Sequence, residues 1–237
     1  MKEPLEKVYV GIPCYGGLVN KDTVTALIKS SRQGLMQSMS LRSYSLLPQN
    51  FNMLYCDALN SRSQGITHFC LMHDDVLPED GWLDKMMGIM KSYRASILSA
   101  IIPIKTKHGL TSTALDEPVG DADPHFRVRR LTMTEVFQRL PTFTEKNLLL
   151  NTGLMLIDLR QPWVEKVWFE FENKIIKKDD GQFVALGMSE DWAFSRKALA
   201  LGANLFATRE VKVFHEGTTR YHNASAWGSL KEDSELE

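Results

Sequence analysis

Residues 66–80 read ITHFCLMHDDVLPED, and within this stretch a strand pattern gives way to polar residues in a single step. Residues 67–72 contain no glycine, proline or formal charge, so they predict a buried strand of an α/β sheet. The next three residues are His73, Asp74 and Asp75. Open α/β sheets bind ligands outside the carboxyl ends of their strands, so this triplet marks a candidate site.

The two adjacent acids of the triplet admit two interpretations. Unpaired carboxylates are costly to desolvate, so in a binding site they would meet a cation, backbone amides or water. Alternatively, Asp74 and Asp75 only begin a turn that leads to a helix starting near Glu79. The triplet alone leaves both interpretations open.

Composition places the chain among ordinary globular proteins. Its 237 residues are 43% hydrophobic and 24% charged, which is enough to form a sizeable core, and one domain over residues 1–237 is expected. A formal net charge of −1 gives no global field that would recruit nucleic acid or an anionic membrane. The chain shows neither a signal sequence nor 18 consecutive apolar residues, so we expect a cytoplasmic protein without a membrane anchor. Three cysteines without CxxC spacing indicate buried thiols in a reducing compartment.

Strand and helix patterns alternate along the first half of the chain. We predict strands at 8–13, 35–43 and 95–104, and helices at 20–31, 50–63 and 79–93. Asn50 is expected to cap the second of these helices. A further apolar run at 148–159 is broken at Asn151-Thr152-Gly153, which indicates a bulge or the close approach of a ligand. The sequence therefore predicts an α/β fold, a Rossmann-like domain with a mostly parallel central sheet flanked by helices.

Residues 105–130 are mostly polar and are interrupted by glycine and proline. A run this long without secondary structure is usually a functional lid or a disordered loop, so we expect a mobile loop at about 105–130. We also expect a tail at about 223–237. The cluster of Arg127, Arg129 and Arg130 could hold an acidic partner, although a solvated edge explains it equally.

A second group of polar residues lies late in the chain. Ser189, Glu190 and Asp191 begin a predicted helix that ends at Gly202, and His215 closes the last predicted strand. Acids in a first helical turn complement the helix dipole, so capping alone can explain Glu190 and Asp191. A histidine at a strand end is more often structural than a ligand. In combination with the triplet at 73–75, however, these residues could share one rim.

Taken in order, these parts resemble the GT-A type glycosyltransferases, which have the nucleotide-diphospho-sugar transferase fold. The resemblance extends from about Val8 to Gly217. Its matching parts are Pro13-Cys14-Tyr15, Arg62, the DXD-like FCLMHDDV, the strand NTGLMLI, and the motifs SEDWAFSRKALALG and VKVFHEG. Each motif is loose alone, and their order and spacing carry the resemblance.

The resemblance implies a set of donor-binding residues. Asp75 would bind the divalent ion, Mn²⁺ or Mg²⁺, that bridges the donor diphosphate, with His215 as a further metal ligand. Asp74 would face the donor ribose or sugar. The nucleotide would contact Pro13, Tyr15 and Arg62. His73 departs from the family pattern, which usually has Asp at this position, so either His73 has taken over that contact or metal binding differs.

The resemblance also implies an acceptor side and a reaction. Glu190 and Asp191 would face the acceptor, where one carboxylate serves as general base in inverting members. A hard cation neutralises a leaving diphosphate, and an acceptor hydroxyl needs its proton removed, which agrees with these roles. The implied activity is a metal-dependent glycosyltransferase that moves a sugar from a nucleoside-diphosphate sugar, UDP-linked, to a hydroxyl group.

Several alternatives remain open at this point. A nucleotidyltransferase would need a glycine- and lysine-rich opening loop, which GIPCYGGLVNK supplies poorly. A catalytically silent module that binds a nucleotide or glycan would explain His73. The acceptor is a small molecule, a protein or a modified base in DNA. Retention or inversion of the anomeric centre cannot be derived from the sequence.

Overall fold

The computed structural model describes residues 6–14, 16–32, 34–117, 124–126, 128–217 and 219–228. Within these ranges the α-helices are α1 (Lys21–Ile28), α2 (Leu47–Asn60), α3 (Trp82–Tyr93), α4 (Met133–Gln138) and α5 (Glu190–Ala200). The strands are β1 (Val8–Cys14), β2 (Met36–Ser43), β3 (His68–Met72), β4 (Val76–Pro78), β5 (Ile97–Ala100), β6 (Leu110–Leu115), β7 (Arg129–Thr132), β8 (Thr142–Phe143), β9 (Leu148–Leu149), β10 (Leu154–Asp158), β11 (Glu172–Lys177), β12 (Phe183–Met188), β13 (Leu205–Thr208), β14 (Val213–Glu216) and β15 (Arg220–His222).

The central sheet has seven strands in the order β2-β1-β3-β10-β5-β13-β8. The pairs β1–β2, β1–β3 and β5–β13 are parallel, whereas β3–β10, β5–β10 and β8–β13 are antiparallel. The α/β class is as predicted, but the prediction of a mostly parallel sheet is wrong, because half of the neighbouring pairs are antiparallel. A fully buried strand is apolar in either direction, so the apolar run of β10 could not reveal its orientation.

The two faces of β3 show why its sequence is apolar throughout. Successive strand residues point to opposite faces, and Phe69 and Leu71 join one hydrophobic cluster that includes α2. Cys70 and Met72 join a second cluster that includes α3. With a helical layer on each face, the strand is completely enclosed, and its carboxyl end brings residues 73–75 to the edge of the sheet.

Three smaller sheets accompany the central one. Their strand orders are β15-β14-β4, β7-β6-β9 and β11-β12. In the first, β14 pairs with β4 immediately after residues 73–75, and the Glu216 N–H donates to the Asp75 carbonyl at 2.8 Å. This pairing fixes the end of β14, which carries His215, beside the end of β3.

Two local predictions differ from the structure. Helix α2 begins at Leu47, with Pro48 in its first turn, so Asn50 lies inside the helix and does not cap it. Residues 105–130 are not structureless, because they contain β6 and the beginning of β7. The sequence of β6, LTSTAL, has three consecutive hydroxyl residues between apolar ends, and these hydroxyls hid a strand that is largely buried. Residues 118–123 and 127 lie outside the described ranges.

Side chains cap the amino ends of α1 and α4. Asn20 caps α1 by accepting from the Asp22 N–H at 2.9 Å, and Thr132 and Glu135 form a capping box at α4. Cys14 and Cys70 are buried free thiols, as expected, whereas the free thiol Cys56 lies on the exposed side of α2, so the expectation of burial is wrong for Cys56. No helix in the described part of the chain has both the length and the apolarity to cross a membrane.

Candidate functional site

A cavity of about 310 Å³ opens at the carboxyl ends of β1 and β3. Its volume falls within the usual range for small-molecule sites. The lining residues come from the end of β1, the segment after β2, the start of α2 and the turn after β3: Pro13, Cys14, Tyr44, Ser45, Leu47, Asn50, His73, Asp74 and Asp75. The structure thus brings together four of the predicted donor-site residues, which are Pro13, His73, Asp74 and Asp75.

Asp75 is the most strongly perturbed acid of this cavity. Its Oδ2 lies 2.5 Å from Lys105 Nζ and 3.5 Å from His215 Nε2. Its Oδ1 is buried and has no hydrogen-bond partner among the described residues. Burial alone would raise the pKa of Asp75, but the hydrogen bonds from His215 and Lys105 outweigh it and lower the pKa well below its usual range. Asp75 is therefore a carboxylate with one buried oxygen to which no described residue bonds.

His215 is held in a defined orientation. Its Nδ1 lies 2.7 Å from the Pro103 carbonyl, which can only accept, so Nδ1 carries a proton. In the neutral imidazole, Nε2 carries the lone pair that a metal ion would need, whereas in the protonated ring Nε2 donates to Asp75. Metal-binding histidines usually donate from their other ring nitrogen to a carbonyl or carboxylate, as Nδ1 does here.

His73 takes no comparable position. Its N–H donates to the Gly153 carbonyl at 2.9 Å, its Nε2 lies 3.2 Å from Thr152 Oγ1, and its ring lies 5.4 Å from the ring of Phe51. Desolvation by burial lowers the pKa of His73 to about 4, although nearby Asp75 opposes the shift. A neutral, packed ring does not replace the charge of the aspartate that the family pattern has here.

Asp74 has a pKa above that of a typical aspartate. Burial, and secondly the charge of Asp75, raise its pKa. Its backbone carbonyl accepts from Thr23 Oγ1 at 2.6 Å, which ties this turn to α1. The carboxylate oxygens of Asp74 could accept hydrogen bonds from the hydroxyl groups of a bound sugar.

Two lining residues, Asn50 and Tyr44, were missed as site residues. Asn50 is 1% exposed, and its Nδ2 donates to the Arg42 carbonyl at 2.9 Å. Its Oδ1 is buried without a partner, so this cavity wall holds an unused acceptor. Tyr44 is 46% exposed at the same cavity. The sequence offered only an asparagine near a helix start, where capping is the common explanation.

Glu190 and Asp191 lie at the start of α5 and do not line this cavity. Asp191 is 9% exposed, and its Oδ1 accepts from the Trp192 N–H at 2.8 Å and from the Ser189 hydroxyl. Burial, followed by the charge of Glu190, raises the pKa of Asp191 to about 7. Burial also raises the pKa of Glu190. A carboxyl group with a pKa near neutrality can accept a proton during a reaction.

Arg130 and Trp192 stand beside this carboxylate pair. The Arg130 guanidinium lies 4.5 Å from the centroid of the Trp192 ring, and Trp192 Nε1 donates to the Ser112 carbonyl at 3.0 Å. Burial lowers the pKa of Arg130, while Asp191 opposes this effect. The start of α5 thus packs against the pair β6–β7, and neither Asp191 nor Arg130 lines the cavity at β1 and β3.

Arg62, a predicted nucleotide contact, does not line the cavity. Arg62 follows α2 and precedes β3, so it lies toward the amino end of β3, whereas the cavity is at the carboxyl end. Its guanidinium pairs with Glu165 and donates to the Leu59 carbonyl at 3.1 Å. The predicted nucleotide contact of Arg62 has no support from this position. Tyr15 lies outside the described residues.

The residues around Asp75 fit a divalent cation in part. The unpartnered Asp75 Oδ1 and the oriented His215 Nε2 supply two ligands of the right chemistry. In the described ranges no cluster of three His, Cys, Asp or Glu side chains is arranged to hold a metal. Mg²⁺ and similar ions bound with phosphates often keep several waters and use one or two protein carboxylates, so the fit depends on a diphosphate completing the shell.

A larger cavity, of about 390 Å³, lies at the opposite edge of the sheet. Its lining includes His68 at the start of β3 together with Arg94, Asp158 and Arg160. The Arg160 guanidinium is already held by both oxygens of Asp158, at 2.7 and 3.0 Å. The Asp158 carboxylate of this cavity is thus already paired, and we place the candidate site at the cavity beside Asp75, where buried acceptors are unused.

Comparison with known proteins shows a shared fold. No protein-family model and no curated protein matches the chain. The crystal structure of A197 from STIV aligns with 98% of this chain and 98% of its own, with a TM-score of 0.53 and 13% identity. At that identity the likeness shows the fold alone.

Two further solved structures align less well. TarS 1-349 from S. aureus in complex with UDP-GlcNAc aligns with a TM-score of 0.47 and 10% identity, covering 97% of this chain and 60% of TarS 1-349. A putative UDP-N-acetylglucosamine pyrophosphorylase from Entamoeba histolytica has a TM-score of 0.42 and 12% identity, covering 86% of this chain and 74% of its own. The chain thus spans about three-fifths of TarS 1-349.

Proposed function

We propose that this protein is a metal-dependent glycosyltransferase that transfers a sugar from a UDP-sugar to a hydroxyl group of an acceptor. The observation that carries the proposal is the cavity beside β1 and β3, in which Asn50 and Asp75 each keep a buried oxygen without a partner. Buried polar atoms are normally hydrogen-bonded, so two unused acceptors in one cavity indicate a ligand that supplies donors or a cation.

One end of the cavity suits a uracil base. Uracil carries an N–H group at N3, and Asn50 Oδ1 is an acceptor whose orientation is fixed because its amide nitrogen bonds to the Arg42 carbonyl. Tyr44 offers a partly exposed ring against which a flat base can stack. Cytosine has no hydrogen at N3, so the same acceptor would repel it.

The other end suits a diphosphate and the adjoining sugar. Asp75 and His215 would hold a divalent cation, which neutralises charge on the leaving diphosphate as a Lewis acid when it is bound. Lys105 adds a positive charge at 2.5 Å from Asp75. Asp74, whose pKa is raised by burial, would bond to hydroxyl groups of the ribose or sugar.

The acceptor side of the proposal involves the start of α5. Asp191 would accept the proton of the attacking hydroxyl, because its raised pKa of about 7 makes it a stronger base than an ordinary aspartate. Glu190 would orient the acceptor from the same helical turn. The aromatic face of Trp192, covered by Arg130, borders this region.

Binding and hydrolysis of a donor test the proposal directly. UDP-GlcNAc, the sugar nucleotide present in the TarS complex, is the first donor to try, with and without Mn²⁺. We expect slow hydrolysis that Mn²⁺ stimulates and a chelator stops, and loss of this stimulation in Asp75→Asn, which lacks the ligand charge. Asp116→Asn is a matched control, because Asp116 has the same 34% side-chain exposure and pairs with Arg196 outside the cavity. Full hydrolysis in excess chelator would rule out the metal.

Mass spectrometry then addresses the acceptor. Products are sought from a panel of small hydroxyl compounds, proteins and DNA that carries hydroxylated bases. A mass increase equal to one sugar residue on any of them supports transfer. Tight UDP binding without hydrolysis or transfer to any member would identify a binding module instead. Proton NMR of the product determines whether the anomeric configuration is retained or inverted.

A further inference from the structure

Lys105 occupies the position beside Asp75 that a cation of the donor complex would need. Its Nζ lies 2.5 Å from Asp75 Oδ2, and His215 Nε2 lies 3.5 Å from the same oxygen. The side chain of Lys105 is 36% exposed, so its ammonium group has room to leave. Asp75 therefore has one oxygen neutralised by the protein itself and one oxygen unused.

The stem of Lys105 is seated against the strand that carries His215. A Cβ atom added at Gly217, directly after β14, would lie 3.1 Å from Lys105 Cδ and 3.5 Å from its Cγ. The glycine thus leaves the space through which the aliphatic stem passes. Lys105 itself follows Pro103, whose carbonyl orients His215. Lys105, His215 and Asp75 therefore form one cluster of side chains that neighbouring segments hold in place.

A divalent cation on Asp75 Oδ1 would lie close to the Lys105 ammonium on Oδ2 of the same carboxylate, and the two positive charges would repel each other. Lysine is a compact charge on a flexible four-carbon stem, and it binds phosphate readily. Its ammonium can therefore move several ångströms while the backbone stays in place. A donor diphosphate bound beside Asp75 would offer that ammonium a new partner.

We propose that Lys105 is an exchangeable counterion. This inference rests on the proposed function. In the free protein Lys105 neutralises Asp75 and competes with divalent cations, and in the donor complex it releases Asp75 and binds the diphosphate. The proposal predicts opposite changes in two affinities on removal of the lysine charge. An ion pair that serves only stability would change neither affinity.

Lys105→Gln is the variant that separates the two steps. Without nucleotide, we expect it to bind Mn²⁺ about tenfold more tightly than the wild type, because the competing charge-assisted hydrogen bond is gone. With saturating Mn²⁺, we expect it to bind UDP about tenfold more weakly. Lys105→Met keeps the stem over Gly217 and should behave alike, whereas Lys105→Arg keeps the charge and should resemble the wild type.

Both affinities can be measured without turnover. Loss of the EPR signal of free Mn²⁺ reports metal binding, and calorimetry reports UDP binding. Lys85→Gln is the matched control, because Lys85 pairs with Glu79 at 2.8 Å, has a similar side-chain exposure of 41%, and lies outside the cavity. Thermal melting verifies that each variant is folded.

The outcomes distinguish this inference from the proposed function. Opposite shifts of the two affinities support the exchange. Unchanged Mn²⁺ affinity in Lys105→Gln overturns the exchange, while Mn²⁺-dependent UDP binding by the wild type keeps the glycosyltransferase proposal. UDP binding could instead be unaffected by a chelator and be lost in Lys105→Gln. That result would mean that Lys105 takes the place of the metal, and it would also overturn the exchange. Absence of any UDP binding by the wild type would overturn both.

Discussion

Asp191 is a carboxylate for which capping and catalysis predict different results on substitution. If it only caps α5, Asp191→Asn should cost at most about 1 kcal/mol and leave transfer near normal, because Asn caps well. As a general base, the same change should lower turnover about 10²- to 10⁴-fold with UDP binding intact. We expect the second result, and we expect wild-type transfer to rise with pH to a plateau above about pH 7.

Glu190→Gln and the double variant provide the controls. Near-normal transfer by both single variants and by the double variant would remove base catalysis from α5. Stability gives an independent readout, because the raised pKa of Asp191 favours its neutral form in the folded state. The folding stability that the protonated Asp191 contributes is fully present below its ordinary pKa of 3.8. This stability is lost as the pH rises through about 7. Denaturation from pH 5 to 8 should therefore show a smaller loss of stability in Asp191→Asn.

Asn50 provides a test of base recognition at single-atom level. If its unpartnered Oδ1 accepts the uracil N3–H, the wild type should prefer UDP to CDP, and Asn50→Ala should lose most of that preference. Calorimetry with both nucleotides measures the ratio of their affinities. Asn52→Ala is the control on the same helix, since both polar atoms of Asn52 bond to the Phe169 backbone at 2.8 Å. An unchanged UDP:CDP ratio in Asn50→Ala would show that Asn50 does not read the base.

At the scale of elements, strand β6 lies within residues 105–130, where the sequence predicts a mobile loop. The Ser112 N–H donates to the Ile102 carbonyl at 3.0 Å, and Thr111, Thr113 and Leu115 are buried. Amides in buried strands open only with large parts of the fold. We expect slow hydrogen exchange for residues 111–115 without ligand, as seen by mass spectrometry of peptic peptides. Fast exchange at residues 111–115 would instead support a mobile lid that includes all of residues 105–130.

The break between β9 and β10 offers a second test at this scale. A Cβ at Gly153 would lie 3.0 Å from Ile102 Cγ1 and 3.3 Å from Asn151 Oδ1, so protein atoms, and not a ligand, approach this glycine closely. Gly153→Ala should destabilise the protein by about 1–3 kcal/mol because a packed interior must shift. It should also disturb His73, whose N–H bonds to the Gly153 carbonyl.

A glycine in open space provides the control for Gly153. Gly88 in α3 has no heavy atom within 4 Å of an added Cβ. Gly88→Ala should therefore stabilise the protein by about 0.5–1 kcal/mol, since alanine favours a helix. Urea denaturation of both variants measures the two effects. Equal stabilities for Gly153→Ala and the wild type would show that the contact is easily relieved.

For the molecule as a whole, the sequence predicted the layers of helices and sheet better than the directions of the strands. Buried runs such as β3 and β10 are recognisable because both of their faces are covered, yet nothing in an apolar run states which way it points. The likeness to A197 at 13% identity fits this, because patterning can persist where individual residues change. The α/β class was therefore accessible, whereas the mixed sheet was not.

Part of the candidate site could likewise be predicted from the sequence, and part could not. Residues 73–75 were found because polarity changes abruptly at a strand end. Asn50 and Lys105 were not, since their roles depend on contacts with distant parts of the chain at Arg42 and Asp75. Arg62 was expected at the cavity from its place in the sequence, but a helix that leads into a strand ends at the strand's amino edge. Site residues marked by a local sequence pattern could therefore be predicted, whereas those whose roles depend on long-range contacts could not.

The placement of the cysteines makes this protein ready for spectroscopy in its natural sequence. Burial raises the pKa values of the Cys14 and Cys70 thiols, so neither supplies much thiolate to a reagent at neutral pH. Cys56 is exposed on α2, the helix whose first turns border the cavity. A maleimide dye or nitroxide should therefore attach at one position without mutagenesis. Such a probe would report donor binding through changes in fluorescence or spin mobility.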